Sequence, residues 1–419
     1  MYRQGQLVIL WRITFRLLSF DRVRVIKAPD SITSRIVLFV PSFEKGGVER
    51  NAVFFANAIV ERGFDLTLLY CRKQEGWFDR LDSNVEVFKV GGGLRFPGVH
   101  ERITDAVKMI AFAPLALFRM KRKQRLALIS FQSNVVAIVL AKLLFLPVAV
   151  RLSNHYSSID NEKSLLRTVS ELGKKLFYRW ADIVVANSSE LAKDYAEILG
   201  REVITIHNPI DFDLIDKLRN EEVAEDIFSN KKHPIVIGAG RLSKQKNFEL
   251  LIKAMAEVVK DVPCDLVIIG EGAERERLKA LVSKLNLVDH VHLIGHRSNP
   301  YKYFNGSDLF VLSSKYEGMP NVLIEAIACG LPAVSTRCQS GPSEILMNGA
   351  GGNLVELDDV AELAGAIKNC LIDASATEAK RQVAAVNCSS YDMKIVFSAW
   401  ESACLTLFRK DVDVKKMKG

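Results

Sequence analysis

The chain has 419 residues, of which 49% are hydrophobic and 25% charged, with a net charge of +8. This composition excludes a disordered, collagen-like or disulfide-rich secreted protein, and the length predicts two domains of about 200 residues each. The seven cysteines are scattered without a CxxC or CxxH pair, which favours a reducing compartment over a zinc site or a disulfide framework. We therefore expect a cytoplasmic protein without a bound metal.

The positive charge is concentrated in the first half of the chain. Residues 1–208 hold 31 Lys and Arg against 20 Asp and Glu, whereas the remainder holds 26 against 29. A basic half is typical of proteins that face nucleic acid, anionic lipid or a phosphorylated substrate. No helix-turn-helix, zinc-finger or RNA-binding motif is present, so we expect no nucleic-acid partner.

Residues 1–33 are predicted to form an N-terminal extension. Its apolar run from Leu7 to Trp11 is interrupted by Arg12 and Arg16. The run is too short for a membrane span, and no cleavage site of small residues follows it. Apolar residues at helical spacing beside the two arginines fit an interfacial helix. An extension packed on the first domain is the alternative.

From residue 34 the chain alternates strands and helices. Repeated strand–helix units of this length predict an α/β domain with a parallel, doubly wound sheet. Ligands of such sheets bind at the carboxyl ends of the strands, which places Gly46-Gly47 and Asn154-His155 at one functional edge. The predicted strands are 35–40, 65–70, 85–90, 126–131, 148–152, 182–186 and 203–206.

Two apolar stretches of the first half raise the question of a membrane. Residues 126–150 carry one charge, Lys142, but polar residues at 132–134 interrupt the run, which favours a buried strand–helix–strand. The predicted helix 106–125 combines an apolar face with a basic cluster at 119–125. That helix fits an anionic membrane surface, or a helix packed on the core with a solvated basic end. Both interpretations stay open.

A second series predicts a second domain of the same architecture. Its strands are 234–239, 265–269, 291–294, 308–312 and 332–335, with helices near 247–260, 273–285, 299–306, 321–329 and 359–372. A last helical stretch, 389–408, follows the complete sheet. We expect it to pack back across the first domain.

The stretch Asp308–Glu325 contains a turn from a strand into a helix, here called the corner, at which we expect the chemistry to take place. After its strand, Gly318 allows a ligand to approach the backbone, and Pro320 suits the first turn of a helix. Free backbone N–H groups at the start of that helix favour anionic oxygen. Two carboxylates, Glu317 and Glu325, frame this corner.

A glycine-bearing loop at 238–247 follows the first strand of the second series. It lacks the third glycine of a dinucleotide fingerprint, as does the loop at 270–272, so a nicotinamide cofactor is excluded. Arg241 and Lys246 instead place two cations on one loop at the carboxyl end of a strand. This arrangement suits a diphosphate.

Three motifs now appear in order: GRLSKQKN (240–247), GEGAERERL (270–278) and EGMPNVLIE (317–325). They resemble the retaining glycosyltransferases of family 4, whose EX7E motif corresponds to Glu317 and Glu325. The resemblance is strong over 234–356, weaker over 35–210 and absent before about residue 34. It implies the GT-B fold, two Rossmann-like domains facing across a cleft. The implied domains are an acceptor domain at 34–208, a donor domain at 209–388 and a C-terminal helix at 389–419.

The resemblance also implies a role for each matching residue. Arg241 and Lys246 neutralise the diphosphate, Glu317 contacts the donor sugar, and Glu325 holds the ribose hydroxyls. His155 binds the donor sugar or supports developing charge, a structural histidine at a strand end being the alternative. The remaining donor-binding positions are Gly47, which approaches the phosphate, Met319, Pro320, Asn321 and Val322 at the helix start, and Gly295, His296 and Arg297 at the base.

The implied function is retaining transfer of a hexosyl or N-acetylhexosaminyl group from a UDP-sugar, with no cofactor or metal. The loop 340–345 resembles one in members that build bacterial surface polysaccharides. With the basic first half, it favours a glycan or lipid-linked acceptor and a peripheral position on the inner face of the cytoplasmic membrane. Two alternatives remain. One is a nucleotide-sugar epimerase of the same fold, and the other is a catalytically silent sugar-nucleotide-binding protein at the membrane.

Overall fold

The computed structural model describes residues 34–43, 47–73, 76–91, 101–153, 173 and 175–416. The predictions for the extension 1–33 and for His155 lie outside the described residues, so they stay predictions. Ser34–Gly419 forms one compact unit, and this unit contains two large parallel sheets.

The first half of the compact unit is built on a seven-stranded sheet. Its strands are β1 Ser34–Phe39, β3 Asp65–Tyr70, β5 Glu86–Lys89, β6 Arg125–Ser130, β7 Val148–Leu152, β8 Ile183–Ala186 and β9 Ile204–Thr205, with a small separate pair, β2 Ser42–Phe43 and β4 Arg72–Lys73. The helices are α1 Gly47–Glu61, α2 Glu101–Lys121, α3 Asn134–Leu143 and α4 Ser189–Leu199. The spatial order is β5-β3-β1-β6-β7-β8-β9. The inner strands are runs of Val, Ile, Leu and Ala, because helices cover both faces of the sheet.

The second half repeats the architecture with six strands. They are β10 Ile235–Ala239, β11 Asp265–Ile269, β12 Val291–Gly295, β13 Leu309–Leu312, β14 Ala333–Thr336 and β15 Asn353–Val355, in the order β12-β11-β10-β13-β14-β15. The helices are α5 Phe212–Leu218, α6 Asp226–Ser229, α7 Phe248–Val258, α8 Arg275–Lys284, α9 Tyr301–Gly306, α10 Asn321–Ala328, α11 Pro342–Ile345, α12 Val360–Ile372, α13 Ala374–Cys388 and α14 Met393–Lys416. The predicted α/β fold class, with two doubly wound sheets, is confirmed.

In each sheet one central strand lies where the strand order reverses. β1 pairs with β3 on one side and β6 on the other, and β10 pairs with β11 and β13. The crevice at the carboxyl end of such a strand is where doubly wound sheets bind ligands. Gly47 begins the helix that follows β1, while Arg241 and Lys246 lie in the loop after β10. Glu317 follows β13, the neighbour of β10, so the fold brings the two loops to one edge.

The last helix, α14, packs into the core of the first sheet. Trp400 is 2% exposed and its ring lies 5.5 Å from Phe131 and 5.0 Å from Phe55. The chain therefore crosses between the two halves twice. The crossings run side by side, since Ile210 N donates to Tyr391 O at 2.9 Å and Met393 N donates to Ile210 O at 3.0 Å.

Several elements differ from those that the sequence predicts. The sheet edge β15 and the helix α13 are additional, because a three-residue strand and an alanine-rich helix carry little periodicity. The helix predicted at 106–125 spans Glu101–Lys121 with Pro114 inside it. The stretch 126–150 forms β6, α3 and the start of β7, so the buried strand–helix–strand is confirmed. Among the described helices, none is both long and apolar enough to cross a membrane.

Candidate active site

Glu317 and Lys246 form a partly buried ion pair at the crevice of the second sheet. Lys246 Nζ lies 2.6 Å from Glu317 Oε1, and the side chains are 17% and 9% exposed. The same oxygen accepts a 2.7 Å hydrogen bond from Ser314 Oγ. The two residues meet because β10 and β13 are adjacent, so the loops at their carboxyl ends share one edge. An ammonium group has three donors, which leaves Lys246 able to bind an anionic ligand beside the carboxylate.

Arg241 lies at the start of the same loop, directly after Gly240. Its side chain is exposed and makes no hydrogen bond or ion pair with the described part of the chain. The two residues that are predicted to bind the diphosphate therefore have different surroundings. Lys246 is held in place by Glu317, whereas the guanidinium of Arg241 faces solvent and can accept an incoming anion without breaking a contact.

At Gly318 the backbone of the second half closely approaches the first half. A Cβ atom built on Gly318 would lie 2.0 Å from the backbone oxygen of Ser153 and 3.5 Å from Asn187 Nδ2. Both residues lie just beyond strands of the first sheet, β7 and β8. The absence of a side chain at Gly318 thus lets the corner contact the first half, and the crevices of the two sheets face each other here.

Helix α10 begins at this corner without a capping side chain. Its N-cap is Pro320, and within the described chain the N–H groups of Asn321 and Val322 have no hydrogen-bond acceptor. Such N–H groups and the helix dipole favour anionic oxygen. Met319 is buried beneath the helix start. The side chain of Asn321 is held by Asn208, whose Nδ2 donates to Asn321 Oδ1 at 2.6 Å.

Glu325 forms an ion pair with a residue of the other half. Arg50 NH1 donates to Glu325 Oε1 at 2.9 Å, and the side chains are 18% and 9% exposed. Arg50 lies near the start of α1, a helix that packs on the first sheet. Tyr301 lies near this pair: burial raises its pKa above the ordinary value, and the negative charge of Glu325 adds to the rise. The carboxylate predicted to hold ribose is therefore oriented from across the cleft.

Gly295, His296 and Arg297, the segment predicted to hold the base, lie at the end of β12 and directly after it; their role in binding the base stays a prediction. Gly295 has a φ of +81° and begins the turn, and His296 is exposed. The side chain of Arg297 is engaged elsewhere, since its Nε lies 3.0 Å from both Glu225 Oε1 and Tyr303 Oη. Arg297 would have to break these contacts to bind a ligand, whereas His296 would not.

A second contact between the halves surrounds Glu344 of α11. Glu344 accepts hydrogen bonds from Ser189 N at 2.7 Å and Ser189 Oγ at 3.0 Å, and lies 2.6 Å from His207 Nε2. Burial opposes the ionisation of Glu344, but the bonds from His207 and Ser189 outweigh it and hold the pKa below the ordinary value. Nearby, Ser340 N donates to Glu190 Oε2 at 3.1 Å. The loop singled out at 340–345 therefore joins the halves.

Among the described residues, no atom lies within 4 Å of a Cβ built on Gly47. The predicted phosphate contact of Gly47 stays a prediction. The described residues contain no group of three or more His, Cys, Asp or Glu arranged to hold a metal ion. All seven cysteines are free thiols.

Several buried polar atoms of the described chain lie at the carboxyl edge of the first sheet without a hydrogen-bond partner. In the described chain, seven buried side-chain atoms lack a hydrogen-bond partner. Four of them belong to residues at the start of α1 or the ends of β7 and β8: Arg50 Nε, Asn51 Oδ1, Arg151 NH1 and Asn187 Oδ1. A buried polar group without a partner costs about 1–3 kcal/mol. Such atoms mark places where bound ligand or water completes the hydrogen bonding.

The sequence alone did not identify the residues that form contacts between the two halves. The sequence contained one indication that Arg50 has a partner. A cation near a helix N-terminus is destabilised by the helix dipole, so its presence there requires a compensating interaction. Glu344 and His207 are separated by 137 residues. No local pattern could have paired them.

Comparison with known proteins adds family information to this geometry. Residues 219–385 match the family model described as Glycosyl transferases group 1, and residues 45–214 match the model described as Glycosyltransferase Family 4. The chain has the GT-B fold. Its structure superimposes on that of Anabaena Alr3699/HepE in complex with UDP with a TM-score of 0.70 at 20% identity, covering 89% of this chain and 100% of that one.

Two curated relatives illustrate the sequence similarity. The chain is 34% identical over 190 residues to an uncharacterised glycosyltransferase of Methanocaldococcus jannaschii, covering 44% of this chain and 47% of the relative. It is 32% identical over 249 residues to the N-acetylgalactosamine-N,N'-diacetylbacillosaminyl-diphospho-undecaprenol 4-alpha-N-acetylgalactosaminyltransferase of Campylobacter jejuni, covering 59% and 64%. The chain thus spans between about half and about two thirds of the length of these relatives.

Proposed function

We propose that the protein is a retaining glycosyltransferase that moves a sugar from a UDP-sugar to a lipid-linked glycan. The observation that carries the proposal is the Lys246–Glu317 pair beside the uncapped start of α10, in a crevice that faces the acceptor half. Both matched family models support glycosyl transfer. The UDP bound by the Anabaena protein supports the choice of nucleotide, and the activity named for the Campylobacter relative supports a diphospho-undecaprenol acceptor.

The proposed reaction exchanges one bond at the anomeric carbon of the donor sugar. The bond to the diphosphate breaks, and the bond to an acceptor hydroxyl forms on the same face. Negative charge develops on the leaving diphosphate, where the N–H groups of α10, Arg241 and Lys246 stabilise it. The proton of the acceptor hydroxyl passes to an oxygen of that diphosphate. Glu317, oriented by Lys246 and Ser314, contacts the donor sugar.

The test of this function is turnover with the full-length protein. A panel of UDP-, GDP- and ADP-sugars is incubated with polyprenyl-diphosphate-linked glycans, and extended glycolipid is detected by mass spectrometry. Lys246→Ala removes a charge from the leaving group and is expected to lower kcat by about 10²-fold or more. Lys244→Ala is the matched control, because Lys244 is an exposed cation of the same loop. Equal activity in the two variants would contradict the assigned role of Lys246.

The same assay separates the alternative functions. Conversion of the nucleotide sugar to an epimer without any acceptor would identify an epimerase. Binding of a nucleotide sugar without turnover on every acceptor would identify a silent binding protein. The configuration of the new linkage, read by NMR, tests retention, since an inverted anomeric centre would exclude the proposed same-face mechanism.

We also propose that α2 rests on an anionic membrane surface. The helix is apolar on two faces: Met109, Ala113 and Leu117 are buried, while a second stripe is 43–57% exposed, comprising Ile103, Val107, Ile110, Phe112, Leu115 and Phe118. A solvent-facing apolar stripe of this length is unusual for a surface helix. Exposed cations follow at the end of the helix, at Arg119, Arg122 and Lys123, and complement acidic headgroups.

The direction of α2 decides what this membrane contact can do. The helix leads into β6 and therefore runs from the carboxyl edge of the sheet, where the site lies, to the opposite edge. With 21 residues it is about 30 Å long. Its basic end is thus remote from the crevice. We infer that this end anchors the acceptor half to lipid and does not bind the donor.

Flotation with liposomes tests the membrane contact. Wild-type protein should float with vesicles that contain phosphatidylglycerol, and Ile110→Ser with Phe118→Ser should reduce the floating fraction severalfold. Neutralising Arg122 and Lys123 should reduce it in low salt only. Val386→Ser, at a 75% exposed position of α13, is the control. Unchanged flotation in all variants would show that another part of the chain holds the membrane.

A further inference from the structure

We propose that Arg50 is a donor-binding residue supplied by the acceptor half. Its guanidinium orients Glu325 toward the ribose and places positive charge on the diphosphate of the bound nucleotide sugar. This inference rests on the proposed function. It adds a third cation, from the opposite side of the cleft, to Arg241 and Lys246.

The position of Arg50 follows from the fold. Helix α1 begins at Gly47, after the strand at which the first sheet reverses its order, so its N-terminus lies at the ligand-binding crevice. From there Arg50 NH1 reaches Glu325 Oε1 at 2.9 Å, a contact between residues 275 apart in the chain. The flanking Glu49 is turned away, since its Oε1 accepts a hydrogen bond from Gln132 Nε2.

Both members of the pair have unused hydrogen-bonding capacity. Arg50 Nε is buried and has no hydrogen-bond partner within the described part of the chain. Within the described chain, no side chain donates to the second oxygen of Glu325. A guanidinium carries five donors in a rigid fork and a carboxylate accepts on both oxygens. Arg50 can therefore keep its bond to Glu325 while its remaining N–H groups bind an anion, and Glu325 can accept a ribose hydroxyl at the same time.

The neighbourhood indicates that this anion is a diphosphate. Glu325 lies four residues after Asn321, about one helical turn or 5.4 Å along the axis from the uncapped start of α10, and Arg50 contacts its carboxylate. Ribose and diphosphate are adjacent in every nucleoside diphosphate, which matches this spacing. A cation near the start of α1 opposes the dipole of its own helix, and a bound anion removes that conflict.

A different role for the same pair predicts the opposite result. If Arg50 only occupied Glu325 until the nucleotide displaced it, removing Arg50 would free the ribose site and tighten binding. If Arg50 only joined the two halves, its removal would change thermal stability and leave affinity for nucleotide unaltered. A donor-binding Arg50 instead weakens nucleotide affinity when it is removed, and more so for ligands that carry the diphosphate.

Isothermal titration calorimetry on the full-length protein distinguishes these cases, with UDP and uridine as probes. Arg50→Gln is expected to raise the Kd for UDP by about 10–100-fold and the Kd for uridine by less than about threefold, with partial recovery in Arg50→Lys. Arg62→Gln is the matched control, since Arg62 follows the end of the same helix and pairs with Glu401 of its own half at 3.4 Å. Unfolding curves establish that each variant is folded.

A double variant removes the remaining ambiguity. Arg50→Gln alone leaves Glu325 unpaired, and its charge could repel UDP by itself. In a Glu325→Gln background, Arg50→Gln should still raise the Kd for UDP by about tenfold. An unchanged or lower Kd there would overturn the role of Arg50 while leaving the proposed function intact. Failure of wild-type protein to bind UDP, GDP or ADP would overturn the proposed function, and this inference with it.

Discussion

Replacing Gly318 by alanine tests whether the contact between the two halves is part of the reacting arrangement. The added Cβ would lie 2.0 Å from Ser153 O, whereas real Cβ atoms essentially never approach closer than 3.0 Å. The corner and the end of β7 must therefore separate by about 1 Å. Because the backbone at Gly318 is not in the left-handed region, the effect of the substitution is steric.

The expected loss follows from that displacement. A misplacement of about 1 Å between reacting groups costs roughly 10²-fold in rate, which equals about 2.7 kcal/mol of transition-state stabilisation. The Tm should change little, since the two halves can move apart without exposing either core. Initial rates of UDP release at low donor concentration give kcat/KM, and differential scanning fluorimetry gives Tm.

Gly365→Ala is the matched control for this prediction. Gly365 lies in α12, where a Cβ would meet nothing within 4 Å, so activity should be unaffected and the helix slightly stabilised. Gly318→Ala with activity within about twofold of wild type would refute the reasoning. That result would mean that the reaction takes place with the two halves further apart than in this structure, so that an added separation of about 1 Å does not misplace the reacting groups.

Two further predictions concern stability. Glu344→Gln should lower the free energy of unfolding by about 1–3 kcal/mol at pH 7. Since the folded pKa of Glu344 is depressed, this contribution is complete above the unfolded pKa of about 4.3 and is lost as pH falls through the folded pKa. Urea titrations at pH 7 and pH 3 measure it, and an equal deficit at both would contradict the assignment. Trp400→Ala should cost about 3–5 kcal/mol in the same titration, with Ser402→Ala as a control on the same helix. A loss below about 1 kcal/mol would show that α14 adds little to the first core.

The sequence predicts those parts of the site that follow from strand ends. Lys246 and Glu317 come after two strands of one parallel sheet, and the carboxyl ends of parallel strands meet at a common edge. Their proximity therefore needs only the strand assignments and the strand order. The uncapped start of α10 is similarly local, because Pro320 and the residues after it define a helix start without a capping side chain.

The contacts between the halves could not be predicted in this way. The pair Arg50–Glu325 depends on how two independently built sheets are placed against each other, and no periodicity encodes that placement. Helix α2 presents a related difficulty. Its apolar residues occur on two faces, and the sequence shows the amount of apolar surface but not which face the sheet covers. Only the exposure of Ile110 and Phe118 against the burial of Met109 resolves it.

The return of α14 to the first sheet has a consequence for biosynthesis. The ring of Trp400 completes the apolar layer over Phe55 and Phe131, but a ribosome delivers it only after the entire second half has been made. The second half, by contrast, has all its strands by Val355. Domains generally fold as units during synthesis, so the order in which the two halves become native is expected to reverse their order along the chain. A nascent chain that stops before Met393 should therefore leave the first half with an uncovered apolar face for chaperones to bind.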